Sequence, residues 1–318
     1  MVGGVFSLAT PPLFARLHDA QNVLIAGAGG GFDVFAGIPL GVALRGQGKR
    51  VHYASLSFSD LERLDLGAWL EPGLAAVAPE TSGEDAYFPE RELARFLGDT
   101  VYAFPRTGVR PLRRAYRTII EKHSIDAVVL VDGGTDILLR GDEQHLGTPT
   151  EDMTSLAAAA GIDGVVKIVT SLGFGIDAHH GVCHAHVLEN LAALDKQGAY
   201  LGALSIPSDS FEARAYTTAV QQAQDATPLS PSIVNGQIAA SLRGEFGNVQ
   251  FTRRTEGSEL FVNPLMGVYF SVDLDALARG VHYLPALEKT RTAFDVALAI
   301  EEYRETNDER RPKRALPY

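Results

Sequence analysis

Three times in the first 180 residues, a short and almost wholly apolar run breaks into a turn built of glycine and aspartate. Residues 22–26 (NVLIA) lead into Gly27-Ala-Gly29-Gly30-Gly31-Phe-Asp33, and residues 127–132 (AVVLVD) into Gly133-Gly134-Thr135-Asp136. Residues 165–171 (VVKIVTS) lead through Leu172 into Gly173-Phe-Gly175-Ile-Asp177. An apolar run without polar alternation marks a strand buried on both faces, the strand of a parallel sheet covered by helices. The intervening chain suits that reading. Helices are expected over 33–45, 89–97, 111–123, 184–196, 211–224, 232–242 and 287–304, and further strands over 50–57, 199–206 and 268–273. Residues 71–83, rich in Pro, Gly, Ser and acids, read as loop.

The alternation predicts a three-layer α/β fold with a mostly parallel sheet, whose ligand site lies beyond the carboxyl ends of the strands. No internal repeat or long low-complexity linker divides the sequence, so one α/β domain over 1–318 is expected, with a C-terminal helical elaboration and a loosely held tail from about residue 306. Charge narrows the partners: 28 Lys and Arg against 39 Asp and Glu leave a net charge of −11, which repels nucleic acid and anionic lipid. No apolar run approaches the roughly 20 residues needed to span a bilayer. Residues 2–14 lack a basic start and are broken by Pro11 and Pro12, unlike a secretory signal. The single cysteine, Cys183, suits a reducing compartment, so a cytoplasmic protein is expected. Its expected partner is a small-molecule ligand, with a homodimer as the commonest default for association.

The first turn supplies backbone N–H groups that suit an anion, which makes Gly27, Gly29, Gly30, Gly31 and Asp33 candidate ligand-binding residues, joined by Gly133, Gly134 and Thr135 of the second turn. The dinucleotide fingerprint G-x-G-x-x-G fails at Phe32, and no acid stands near Ser55 or Ser57 at the end of the next strand to hold a ribose. A nicotinamide cofactor is therefore disfavoured. Asp33 also suits the plainer role of a first-turn helix acid.

After the second turn, Asp132, Asp136 and Glu143 are the carboxylates expected to do chemistry, by ligating metal or by sharing a proton. Glu151 and Asp152, following Thr148 and Pro149, read as first-turn helix acids. The third turn adds Asp177, His180 and His184 as candidate acid-base groups. His180 and His184, four apart, would share a helix face as metal-ligating pairs do, so they and Asp136 are the candidate ligands of a divalent metal. Gly181 weakens that helix, no H-E-x-x-H motif is present, and a solvated loop ahead of a helix explains the same residues. Cys183 suits a small buried hydrophobe. Arg106, Arg110, Arg113, Arg114 and Arg117 line one helical face, either offering forked donors to an anion or pairing with surface acids.

As an ordered set, Gly27-x-Gly29-Gly-Gly31-x-Asp33, Val131-Asp132-x-x-x-Asp136, Gly141-x-Glu143, Thr148-Pro149-x-x-Asp152 and Gly175-x-Asp177 resemble the uncharacterised family called domain of unknown function 1152, over about residues 22–204. The resemblance implies a Rossmann-like α/β fold and no particular activity. Many members carry an acid-leucine pair where this chain has Ala178, His179 and His180, which implies a branch with its own substrate. The activity expected from the residues is that of a hydrolase, lyase or group transferase on a small anionic or nucleotide-like metabolite, working through a carboxylate-histidine site at the sheet edge. An NAD(P)-dependent oxidoreductase and a non-catalytic ligand-binding module are the alternatives.

Overall fold

The computed structural model describes residues 7, 10–82, 87–258 and 260–316. Parts of the 2–14 stretch and the end of the 71–83 segment lie outside the described residues. The apolar runs form strands for the reason given above: every residue of β1 (Asn22–Gly27) and β6 (Ala127–Asp132) is buried. The remaining strands of the main sheet are β2 (Arg50–Ser57), β3 (Trp69–Glu71), β4 (Leu74–Val77), β5 (Val101–Pro105), β7 (Val166–Ser171), β8 (Tyr200–Ser205) and β11 (Val268–Asp273). A separate two-stranded ribbon joins β9 (Gly247–Asn248) to β10 (Phe261–Val262).

The main sheet runs β3-β4-β5-β2-β1-β6-β7-β11-β8. Its centre, β5-β2-β1-β6-β7, is parallel throughout, and the strands at both margins are antiparallel. This is the α/β architecture expected from the sequence, with a mixed sheet. Alternate residues of each central strand serve opposite faces. Leu24, Ala26, Val128 and Leu130 pack with the helices Val109–His123, Pro149–Ala160 and His184–Lys196. Val23, Ile25, Val129 and Val131 pack with Ile38–Gly46, Pro89–Leu97, Phe211–Ala226 and Ile233–Leu242. Helices thus cover both sides, the arrangement that parallel strands require.

The register levels the carboxyl ends: Gly27 pairs with Ser55 and Val131, and Asp132 pairs with Ser171. The three glycine-acid turns therefore leave the sheet on the same edge. β1 is where connections depart in both directions, to β2 on one side and β6 on the other, the switch point at which open α/β sheets place ligands.

Four local expectations change. Part of the 71–83 loop is strand, because Pro72-Gly73 turns the chain back and β4 pairs with β3 and β5. β5, which the sequence reading passes over, adds to β2. The helix expected over 33–45 begins as a 3₁₀ turn, Gly31–Gly37, and becomes α-helical only at Ile38, with Pro39 in its first turn. The last helix starts at Ala293, where Thr292 and Asp295 form a reciprocal capping box, and Leu284–Leu287 is a separate short turn.

The tail is not loosely held. Arg311 bridges Asp142, Glu143 and Glu189 at 2.7–2.8 Å, and the Pro312 and Arg314 carbonyls bond to His186 and Cys183. Residues 317–318 lie outside the described part. Among the described residues no helix is long and apolar enough to cross a membrane.

Candidate functional site

The turn after β1 is shaped around carboxylates. Asp33, on the 3₁₀ turn, accepts the Gly29 N–H at 2.8 Å. A Cβ on Gly29 would stand 2.3 Å from Asp33 Oδ2 and 3.0 Å from Asp152 Oδ1, so only glycine leaves room for both acids. The Ser155 hydroxyl donates to the Ala28 carbonyl at 2.7 Å and holds the Pro149–Ala160 helix against this turn, which carries Asp152 into it.

The turn after β6 repeats the device. Asp132 ends the strand with 3% of its surface exposed. A Cβ on Gly134 would meet both oxygens of Asp177 at 2.8 and 3.0 Å. Asp177, on the 3₁₀ turn Ile176–His180 that follows β7, accepts the Thr135 N–H at 2.7 Å and sits 3.4 Å from its hydroxyl. Asp136 accepts the N–H and hydroxyl of Thr148 at 2.8 and 3.1 Å.

Five aspartates, Asp33, Asp132, Asp136, Asp152 and Asp177, thus line one cleft of about 460 Å³ at the switch point. Gly29, Gly30, Gly133, Thr148, His179 and His180 share it. Arg106 and Arg254 are also among its walls; Arg106 is ion-paired with Glu151 at 2.7 Å and lies over the Phe58 ring. Among the described residues, none of the five aspartates is in an ion pair with Lys or Arg. Burial pushes Asp132, Asp152 and Asp177 well above the usual carboxylate range, and their mutual repulsion adds to it. Burial likewise raises Asp33 to about 7. Asp136 is raised by burial too, against the opposing pull of the Thr148 hydrogen bonds and nearby His180. Two carboxylate oxygens, Asp132 Oδ2 and Asp152 Oδ1, are buried with no hydrogen-bond partner.

Not every candidate from the sequence arrives here. Glu143 is placed elsewhere: it accepts the N–H groups of Arg140 and Gly141, the Asn190 amide and the Arg311 guanidinium. These donors fully occupy it, and its work is to tie a loop, a helix and the tail together. His184 is also outside the cleft. Gly181, at φ +90°, separates the 3₁₀ turn ending in His180 from the helix beginning at His184, so the two imidazoles do not share a helix face. His184 packs on Phe174 with ring centroids 5.3 Å apart, and the expected His180, His184 and Asp136 metal set is not assembled. Gly31 faces Phe58 and Tyr87, and Gly27 closes against the Val34 backbone. Cys183 is buried against Arg314.

Asp152, read from the sequence as a first-turn helix acid, belongs to the cleft. Its signal was the spacing Thr148-Pro149-x-x-Asp152, which puts an acid on the helix turn nearest the sheet. Arg254 carried no signal, being more than 200 residues from the first turn. Of the arginine series only Arg106 reaches the cleft; Arg113 and Arg114 pair with Glu288 and Glu71, as a solvated helix face does.

The family model described as protein of unknown function (DUF1152) matches residues 24–309. The chain belongs to that family. Its match spans all five aspartates and continues through β11, so in this DUF1152 chain the cleft and the antiparallel margin of the sheet belong to one family unit. No curated protein is significantly similar to the chain.

Proposed function

We propose that this DUF1152 protein is an enzyme, a hydrolase, lyase or group transferase, that acts on a small anionic metabolite held at the carboxyl edge of the sheet. One observation carries the reading: aspartates from four separate chain segments converge, without ion-pair partners, in one cleft at the switch point. Folding gains nothing from this. Burying several uncompensated carboxylates costs stability, and such costs are tolerated where chemistry needs perturbed groups. The cleft volume lies within the range of small-molecule sites.

Within the cleft, His180 is exposed and lies near Asp136, whose carboxylate Thr148 fixes in place. An imidazole beside a held carboxylate suits proton transfer to or from a substrate, while Arg254 offers the anionic group a cation at the wall, beside an Arg106 already paired with Glu151. A nicotinamide dinucleotide gains no support, since the Gly29 N–H that a pyrophosphate would use is occupied by Asp33.

The test is a product screen by mass spectrometry, with the full chain offered small phosphorylated and carboxylated metabolites. Conversion of one class is expected, with Asp136→Asn and His180→Ala each lowering kcat/KM at least about tenfold at an unchanged unfolding midpoint. Binding without turnover would leave a ligand-binding module, and wild-type rates in both variants would remove the assignment.

A further inference from the structure

The cleft floor poses a charge problem that its own residues leave open. One oxygen each from Asp33, Asp132 and Asp152 lies within 4.8 Å of the other two. Three atoms so placed fit on a sphere of radius at most about 2.8 Å, from which an inward shift of roughly 0.7 Å or less per oxygen reaches the bond length of a divalent ion. Asp132 and Asp152 are 3% and 2% exposed, and each keeps one buried oxygen without a hydrogen-bond partner. In an ordinary interior such an atom finds a donor, so two orphans in one place indicate a missing positive partner. The space for that partner is kept by glycine, because Asp33 Oδ2 and Asp152 Oδ1 both crowd the position where a Gly29 side chain would begin.

We infer that Asp33, Asp132 and Asp152 form a binding site for one hard divalent cation, Mg²⁺ or Mn²⁺. Three carboxylates with no imidazole or thiolate select a hard ion over zinc. Three protein oxygens leave part of an octahedron open for water and for an oxygen of an anionic substrate, and only this last point rests on the function proposed above. The cation reconciles an acidic floor with an anionic ligand.

The test titrates the metal-stripped full chain with Mn²⁺ and follows the free aquo ion by electron paramagnetic resonance. One Mn²⁺ should bind per chain and be displaced by excess Mg²⁺, and Mg²⁺ at about 100 times its Kd should raise the unfolding midpoint by about 4 °C. Asp132→Asn and Asp152→Asn should each weaken binding at least about tenfold. Because each replaces a buried carboxyl that keeps an oxygen without a hydrogen-bond partner, the metal-free variants should unfold no lower than wild type, which separates loss of the site from loss of the fold. Gly29→Ala should also abolish binding, since its methyl displaces two ligand oxygens at a backbone position that tolerates alanine. Mn²⁺ remaining free with wild type, or bound equally by both Asn variants, would overturn the inference. Turnover of an anion by a chain that leaves Mn²⁺ free in the titration would overturn it while leaving the enzyme reading intact. A bound cation without turnover of any anion would do the reverse.

Discussion

At Gly29, Gly134 and Gly147 the absent side chain is what gives an acid its place. A Cβ at Gly147 would come within 2.3 Å of Asp136 Oδ2, just as one at Gly29 would strike Asp33. In the sequence Gly29 and Gly134 look like anion-cradling turns, and four aspartates of the cleft are legible beside the glycine turns as turn acids. Asp152 was harder to read, because an acid three residues into a helix is favourable with the helix dipole wherever the helix points. Glu143 was misread for the opposite reason: its main cationic partner, Arg311, is 168 residues away and nothing local announces it. Glu90 shows the same limit. It is fully buried, and burial pushes its carboxyl up to about 8. The folded state thus keeps a proton that the unfolded chain releases near the ordinary carboxylate value. Its contribution is fully present below about pH 4.5 and is lost as pH rises toward 8. Glu90→Gln should therefore be more stable than wild type at pH 8, by a few kcal/mol at most, and nearly equal at pH 4.5, as measured by denaturant unfolding at the two pH values.

Elements were legible where burial alone defines them. β1 and β6 are almost continuous apolar runs, β2 follows the Gly46 and Gly48 punctuation as a β-rich run, and the Pro89–Leu97 helix opens on its proline, so their bounds could be read within a residue. β4 is only four residues long behind a Pro-Gly turn, and β5 ends in proline; both are strands because neighbours accept them, a fact of tertiary pairing that short apolar runs do not encode. The tail was invisible for a similar reason, since its composition is that of a solvated end and its hold centres on one guanidinium among three acids, joined by hydrogen bonds to His186 and Cys183. Glu143 is 1% exposed, so Arg311→Ala should strand a buried carboxylate and cost about 3 kcal/mol. The check is urea unfolding together with limited proteolysis: the variant should be cut after residue 306 under conditions that leave wild type whole. Glu143→Gln in the same chain should restore part of the stability, and no restoration would mean that the clasp acts through the Asp142 and Glu189 pairs.

Across the whole molecule, the order of the sheet differs most from the order of the chain. Nothing in the run Val268–Asp273 states that it lies antiparallel between β7 and β8, because a strand's partners are set by the rest of the sheet. Among the described residues β8 pairs only with β11. A chain ending at residue 267 should therefore leave β8 without a neighbour and β7 as an open edge, and should sediment as aggregate where the full chain stays dispersed in analytical ultracentrifugation. The same arrangement bears on how the protein is made. As the chain leaves the ribosome, the parallel core and all five aspartates of the cleft are complete well before β11 emerges, so for the length of some sixty residues the newborn protein carries the acidic floor of its pocket beside an unclosed sheet. During that interval, its safety from sticking to its neighbours depends on how quickly translation delivers one six-residue strand.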